Sequence, residues 1–548
     1  MAFCTKCGKE LVPGEAFCRN CGERADLAAV NLPKKNKKKR KKAVFATIIA
    51  VVILGAGVAF GFPYVKTAVL TNIMPSEKYF SYVMKNNVEG ISKKIASVTE
   101  TFKENVFLNN GTESKMEIVA GDALSDYCNK LMGTNSNYLS ENIGWIKSIE
   151  LSAAQMNNRS EIYSKASLSV NNNYIGSYES SMDVGDESMY ITFPDINPTS
   201  IKIDMGGDGF SEDMKSMYAV VDVIPSKDIV EKLISDYIMT AVNEADNVTK
   251  HRSEVSLGGK SYKCTALTAE IDSDTAQRVY QAVLEKAKTD EEIRKMTETF
   301  ADWSNSDPNK IYGDFTEAVD ELLDDSDINI NGDGAFTVLV NGKGDIVGMS
   351  VEADGDEISF LKAFWGRNFA YEIVFDIDDE KVSIEGDGTV KGTKCESDCY
   401  VRCDSGTLLD VHMSDINALK LKDGFFEGEV TISSGDALKN ELGITNSDIL
   451  DKSQIKYVSY EAEKEKNKFS LSLTYDSSDV VSINMQTNRN DSMEAVTLPE
   501  DYISADDYFA IGNWIEKSDF GKLLDNLSKS GAHGEWFTEI KDEMLSQL

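Results

Sequence analysis

Residues 43 to 62, AVFATIIAVVILGAGVAFGF, contain no charged side chain. Twenty residues at about 1.5 Å rise make a helix about 30 Å long, the thickness of a bilayer's hydrocarbon core. Pro63 follows and marks the end of the run. Just before it lies KKNKKKRKK, residues 34 to 42. Alone, a lysine run suits a nuclear signal or a nucleic-acid patch. Beside an apolar span it marks the cytoplasmic side of a membrane, and it can rest on anionic lipid heads. A cleaved signal peptide would have a shorter apolar region, begin nearer the amino terminus and end in small residues. The expectation is one uncleaved plasma-membrane span at 43–62, the amino terminus in the cytoplasm and the bulk of the chain outside.

A second constraint precedes the span. Cys4 and Cys7 form one C-x-x-C pair, and Cys18 and Cys21 form another. Zinc takes four thiolates in a tetrahedron, and two such turns supply them. Gly8 and Gly22 follow the pairs, Phe3 and Phe17 precede them, and Pro13-Gly14 turns the chain between the halves. A segment this short has little core, so structural Zn2+ would contribute on the order of 10 kcal/mol to its folding. With four protein ligands the site is closed, hence structural. Two disulfides are the alternative, which a reducing cytoplasm disfavours. The segment has few basic residues, so no nucleic acid is expected to bind.

The segments FCTKCG and FCRNCG, the lysine-rich linker and the span together resemble the zinc-ribbon single-pass membrane proteins of Gram-positive bacteria. The teicoplanin-resistance-associated membrane proteins share this layout. The resemblance covers residues 1 to 62 and implies a cell-envelope protein anchored in the plasma membrane. It carries no activity onto the remainder.

That remainder is strongly acidic. The first 62 residues hold 12 of the 57 basic and 4 of the 91 acidic residues, which leaves 45 basic against 87 acidic afterwards. Such a surface is well solvated and repels nucleic acid and anionic lipid surfaces. It could attract cations or a cationic partner.

Apolar periodicity predicts a helix over 76–105, through Phe80, Met84, Val88, Ile91, Ile95, Val98 and Phe102, with Ser76 as its cap. Alternation predicts strands over 113–122 and 146–206. A helix after Pro225-Ser226 turns Ile229, Leu233, Tyr237 and Ile238 inward. A hairpin over 253–271 turns at Gly258-Gly259. Two or three helices cover 274–324, the middle one striped by Ile293, Met296, Phe300 and Trp303. From 326 recurrent Asn-Gly and Asp-Gly pairs, at 331, 341, 354 and 387, argue for a long antiparallel meander, and helices return after Asp506. The fold class is α+β. The expected parts are a zinc ribbon at 1–26, a basic linker at 27–42, the span at 43–62, an extracellular α+β domain at 63–325, and an extracellular β-rich domain with C-terminal helices at 326–548.

Catalytic chemistry has little to rest on. His251, His412 and His533 are the only histidines and stand in unrelated contexts, with no nucleophile elbow, zincin helix or P-loop. DSDINING, residues 325–332, hints at a calcium loop through Asp327, Asn329, Asn331 and Gly332, but its twelfth position is Val338, where glutamate is needed. The outer part has five cysteines: Cys128, Cys264, Cys395, Cys399 and Cys403. The last three are spaced by four. On one strand, neighbours in this trio would stand about 13 Å apart, too far for a disulfide, so a bridge from Cys395 to Cys399 needs a turn at 396–398.

The leading expectation is a non-enzymatic, membrane-anchored envelope protein with an acidic binding or scaffolding region, its partner an envelope protein, wall polymer or lipid. A lipid or lipoprotein carrier with an apolar concave sheet is the alternative, and an envelope enzyme ranks last.

Overall fold

The computed structural model describes residues 2–3, 10–11, 74–107, 110–132, 144–157, 160–205, 224–303, 306–324, 334–353, 355–378, 380–422, 424–442, 447–463, 465–490, 498–532 and 537–538. The chain forms two units, residues 1–52 and 53–548. The described part of the first is a hairpin of β1 (Ala2–Phe3) and β2 (Glu10–Leu11).

The second unit begins with α1 (Ser76–Phe107), β3 (Asn110–Ala120) and α2 (Leu124–Met132). Five strands follow: β4 (Ser148–Asn157), β5 (Glu161–Val170), β6 (Asn173–Asp183), β7 (Ser188–Phe193) and β8 (Asn197–Asp204). Then come α3 (Lys227–Glu244), β9 (Val248–Leu257), β10 (Lys260–Ile271), α4 (Ser273–Thr289), α5 (Glu291–Trp303) and α6 (Pro308–Asp324). The meander contains β11 (Gly334–Val340), β12 (Ile346–Ala353), β13 (Asp356–Trp365), β14 (Asn368–Ile377), β15 (Glu380–Lys391), β16 (Lys394–Cys403) and β17 (Gly406–Asn417). After α7 (Ala418–Lys422) come β18 (Gly428–Ser434), α8 (Leu438–Glu441), α9 (Ser447–Lys452), β19 (Ser453–Ala462), β20 (Lys466–Tyr475) and β21 (Ser478–Arg489). β22 (Tyr502–Ser504), α10 (Tyr508–Glu516) and α11 (Phe520–Lys529) end the described fold.

Twenty strands, β3 to β22, join one sheet. From β9 to β21 each strand pairs antiparallel with the next. β21 then pairs with β3, Ile483 opposite Ile118, and β3 to β8 continue the ladder. β22 lies parallel to β8, Ile503 opposite Ile201. The fold is α+β, as the alternation implied. The sheet passes on both sides of residue 325: β10 pairs with β11 across it, Leu267 opposite Val338. The proposed divide at 325/326 marks a change from helices to strands in sequence, and residues 53–548 form one unit across it. Residues 325–333 lie outside the described residues, as do 43–62 and the lysine run. No helix among the described residues is long and apolar enough to cross a membrane.

Turn chemistry sets the register. Asn171-Asn172, Gly258-Gly259 and Asp476-Ser477 are two-residue connections in which both residues have positive φ, as type I′ hairpins require. One expected turn is not a turn. Asp387-Gly388 lies inside β15, where Gly386 and Gly388 face Tyr371 and Phe369 of β14. A Cβ on Gly386 would stand 2.4 Å from Tyr371 Cζ, and one on Gly388 2.6 Å from Phe369 Cζ. These glycines make room for two stacked rings 6.4 Å apart. Ser76 belongs to α1 itself, with Tyr79 N donating to Pro75 O at 2.9 Å.

The core lies between α1, α3 and one face of β9–β12. Tyr79, Phe80, Val83, Met84, Val88, Ile238 and Val242 meet Val248, Leu267, Phe336, Val338, Val340 and Met349 there. Phe80 packs edge-on against Phe336 at 5.9 Å. Of the expected α1 stripe, Phe80, Met84 and Val88 are buried, whereas Ile91 and Ile95 are half-buried.

Beyond the helices that same sheet face stays apolar. One row runs from the core through Met349, Phe360, Ile373, Ile384, Val401 and Leu409. A second runs from Met413 through Val430, Tyr457, Leu471, Ile483, Ile118 and Ile149. The opposite face carries a small buried apolar cluster where Leu257 of β9 meets Ala363 of β13 and Ala370 of β14, and elsewhere is largely polar with cross-strand ion pairs: Lys115–Glu150 at 2.7 Å, Lys165–Glu179 at 2.6 Å, Lys456–Glu429 at 2.8 Å and Arg402–Glu385 at 3.4 Å.

Candidate functional site

In the amino-terminal hairpin Ala2 pairs with Leu11 and Phe3 with Glu10. The coordinates of Cys4, Cys7, Cys18 and Cys21 lie outside the described residues. The donor set of four thiols in two C-x-x-C pairs fits a structural Zn2+. Residues 3–24 match the zinc-ribbon domain family. The chain carries a zinc ribbon at this position. That domain suggests a zinc-binding structural module, and it spans a small part of the 548 residues.

No curated protein matches the chain. Among solved structures, one titled as intact Ap-TbpB with its N and C lobes aligns over 70% of this chain and 77% of its own, with 7% identity and a TM-score of 0.12.

In the second unit the singled-out residues do not converge. His412 Nδ1 lies 2.7 Å from Asp398 Oδ1, an exposed pair across β16 and β17 on the polar face. His251 is exposed on β9. His533, Asp327, Asn329, Asn331 and Gly332 lie outside the described residues. Val338, at the twelfth position of the suspected calcium loop, is a fully buried core side chain of β11. Among the described residues no group of three or more His, Cys, Asp or Glu is placed to hold a metal.

Cys395, Cys399 and Cys403 all lie on the straight β16, so residues 396–398 form no turn and all three thiols are free, as are Cys128 and Cys264. A spacing of four puts the trio on one face, and it is the apolar one: Cys399 is buried opposite Val411 and Gly386. Burial pushes the Cys395 and Cys399 thiols above their ordinary value, as it does Cys264, where Ser253 partly offsets it. Thiols of this kind are small hydrophobes, not nucleophiles. Burial, then the Cys399 contact, holds the neighbouring Tyr371 phenol neutral well above its usual range. On the polar side, burial and then the facing Glu385 raise the Glu372 carboxyl.

The largest feature is the uncovered apolar face. Ile455 is 46% exposed and Leu471, Leu151 and Leu168 are each 38% exposed, so among the described residues no layer covers them as α1 and α3 cover Val338. Helices flank this strip on the same face. At one end lie α1 and α3. Beside β21, Tyr127 of α2 packs on Tyr475 at 5.6 Å. At β6, Leu523 Cδ2 of α11 would lie 2.8 Å from a Cβ on Gly176, and Asn526 Nδ2 donates to Ile175 O at 3.0 Å. Between α1 and β12 an apolar hollow lined by Met84, Val88, Ile91, Ile238, Ile346 and Met349 has room for about one water.

One cation interrupts the strip near its helix-covered end. Lys362 of β13 shares the apolar face with Phe360 and Phe364, opposite Tyr371. Its Nζ lies 5.8 Å from the Phe360 ring centre. Burial pulls its ammonium below the ordinary lysine value, against a weaker pull from Asp345. Alternation in the sequence signals the strip strand by strand. It does not signal that these strands lie side by side.

Proposed function

We propose that this chain is a single-pass protein of a bacterial cell envelope, like the Gram-positive zinc-ribbon proteins it resembles over residues 1–62. Its zinc ribbon faces the cytoplasm as a folded docking module held by Cys4, Cys7, Cys18 and Cys21. Its long acidic sheet lies outside as a non-enzymatic binding or scaffolding surface. The observation that carries the reading is the order of zinc ribbon, lysine run and charge-free run in the first 62 residues. Among the described residues the broad strip, in place of a cleft with converging acids, bases or nucleophiles, supports binding over catalysis.

Protease added to intact cells expressing the full chain tests the orientation. Loss of the mass after residue 62, with a protected fragment containing the zinc ribbon, is expected. Protection of residues 63–548 until the cells are opened overturns it.

A further inference from the structure

An apolar sheet face continuous from a packed core to solvent calls for an occupant. From β13 to β20 in pairing order the strip crosses eight strands, about 35 Å at ~4.8 Å per strand. An acyl chain spans half of a bilayer core, about 15 Å, so the strip holds such chains end to end. A second copy of this chain is disfavoured, because each copy carries a formal charge of −34. Lys362 supplies the charge complement for an anionic head. It is half-buried beside Phe360 and Tyr371, it makes no ion pair among the described residues, and it lies where the covered core gives way to the strip. A half-buried ammonium whose nearest acid, Asp345, makes no ion pair with it is costly to a fold unless an anion visits it.

We propose that this face binds a fatty acid, with its hydrocarbon along the apolar rows and its carboxylate at Lys362. The supply of such a ligand rests on the membrane-anchored reading above.

The test is photolabelling of the full chain in living cells. Cells take up a fatty acid carrying a diazirine and an alkyne, are irradiated, and labelled peptides are mapped by mass spectrometry. The expected label falls on two places: residues 43–62, and apolar-face residues of β13–β20. Leu471→Asp with Ile455→Asp should cut strip labelling by about tenfold, because each puts a charge on the hydrocarbon track. Ser472→Asp, on the polar face, should leave it unchanged. Lys362→Gln should reduce it by about threefold, the scale of one partly exposed ion pair. Labelling of 43–62 in every variant shows that the chain is made and inserted. Label confined to 43–62 overturns the proposal and leaves the anchored reading intact. Label on the strip but not on 43–62 supports the ligand and overturns the anchor. Strip label indifferent to Leu471→Asp and Ile455→Asp overturns the proposed track. Indifference to Lys362→Gln overturns the assignment of the head group.

Discussion

Single residues decide local fit in this sheet. Gly386→Val should destabilise the fold by about 2 kcal/mol, because its side chain must enter the space of the Tyr371 ring. Gly342→Ala, with nothing within 4 Å of its Cβ position, should be nearly neutral. Urea midpoints at unchanged m-value measure both. Asp195 gives a pH signature. Burial raises its carboxyl, but hydrogen bonds from Tyr174, Lys522 and Ser177 outweigh this and hold it below its ordinary value of 3.8. A depressed carboxyl lends stability that is complete above that value and is lost as pH falls through the folded one. Asp195 also receives Lys522 Nζ of α11 at 3.2 Å. Hydrogen exchange in α11 should therefore quicken as pH drops below 3.8 relative to the rest of the sheet, and Asp195→Asn should abolish the difference. At this scale the sequence was partly legible. The C-x-x-C spacing named its chemistry, and residues 3–24 carry the zinc ribbon it implied. Asp387-Gly388 misled, because a glycine that admits a ring is spelled like a glycine that turns a chain.

Elements were the most legible level, since period and caps are local. The hairpin of β9 and β10 turns at Gly258-Gly259, and α10 and α11 start after Asp507 and Asp519, whose side chains accept from the first-turn amides. Asp272 caps α4 by accepting from Thr275 N at 2.8 Å. Asp272→Ala should lower the urea midpoint at unchanged m-value, read by chemical denaturation. In the hairpin, Gly258 and Gly259 both have positive φ, so either alanine is strained. A Cβ at Gly258 also meets Trp365 at 2.8 Å and Ala370 at 2.9 Å, where the hairpin end packs against β13 and β14, whereas Gly259 meets nothing. Gly258→Ala should therefore lower the melting temperature more than Gly259→Ala. A reversed order in thermal scans would show that the contact with Trp365 contributes little.

For the whole molecule the sequence indicated an α+β chain with a long meander, but not its continuity. The join of β21 to β3 brings together strands whose spacing along the chain no local pattern records: Asn484 Nδ2 donates to Glu117 Oε2 at 3.2 Å across 367 residues. Nor does composition record that the apolar sides of successive strands align into one face. If the zinc ribbon is held by Zn2+, a strong chelator should release metal and open residues 3–24 to proteolysis. Metal analysis and limited digestion would measure this, and Cys4→Ser with Cys7→Ser should mimic it.

The distant pairing has a consequence for how the chain is made. β3 to β8 pair among themselves as they are made, but β21, the other partner of β3, follows 367 residues later. Until then the edge of β3 carries open amides and carbonyls, a template for any passing strand. Joining it to β21 closes a loop of several hundred residues, and contacts so non-local form slowly. A chain truncated before residue 478 would keep that edge open permanently. Nascent-chain lifetime, and the helpers that shield a half-built sheet, thus become as decisive for this protein as the packing of its finished core.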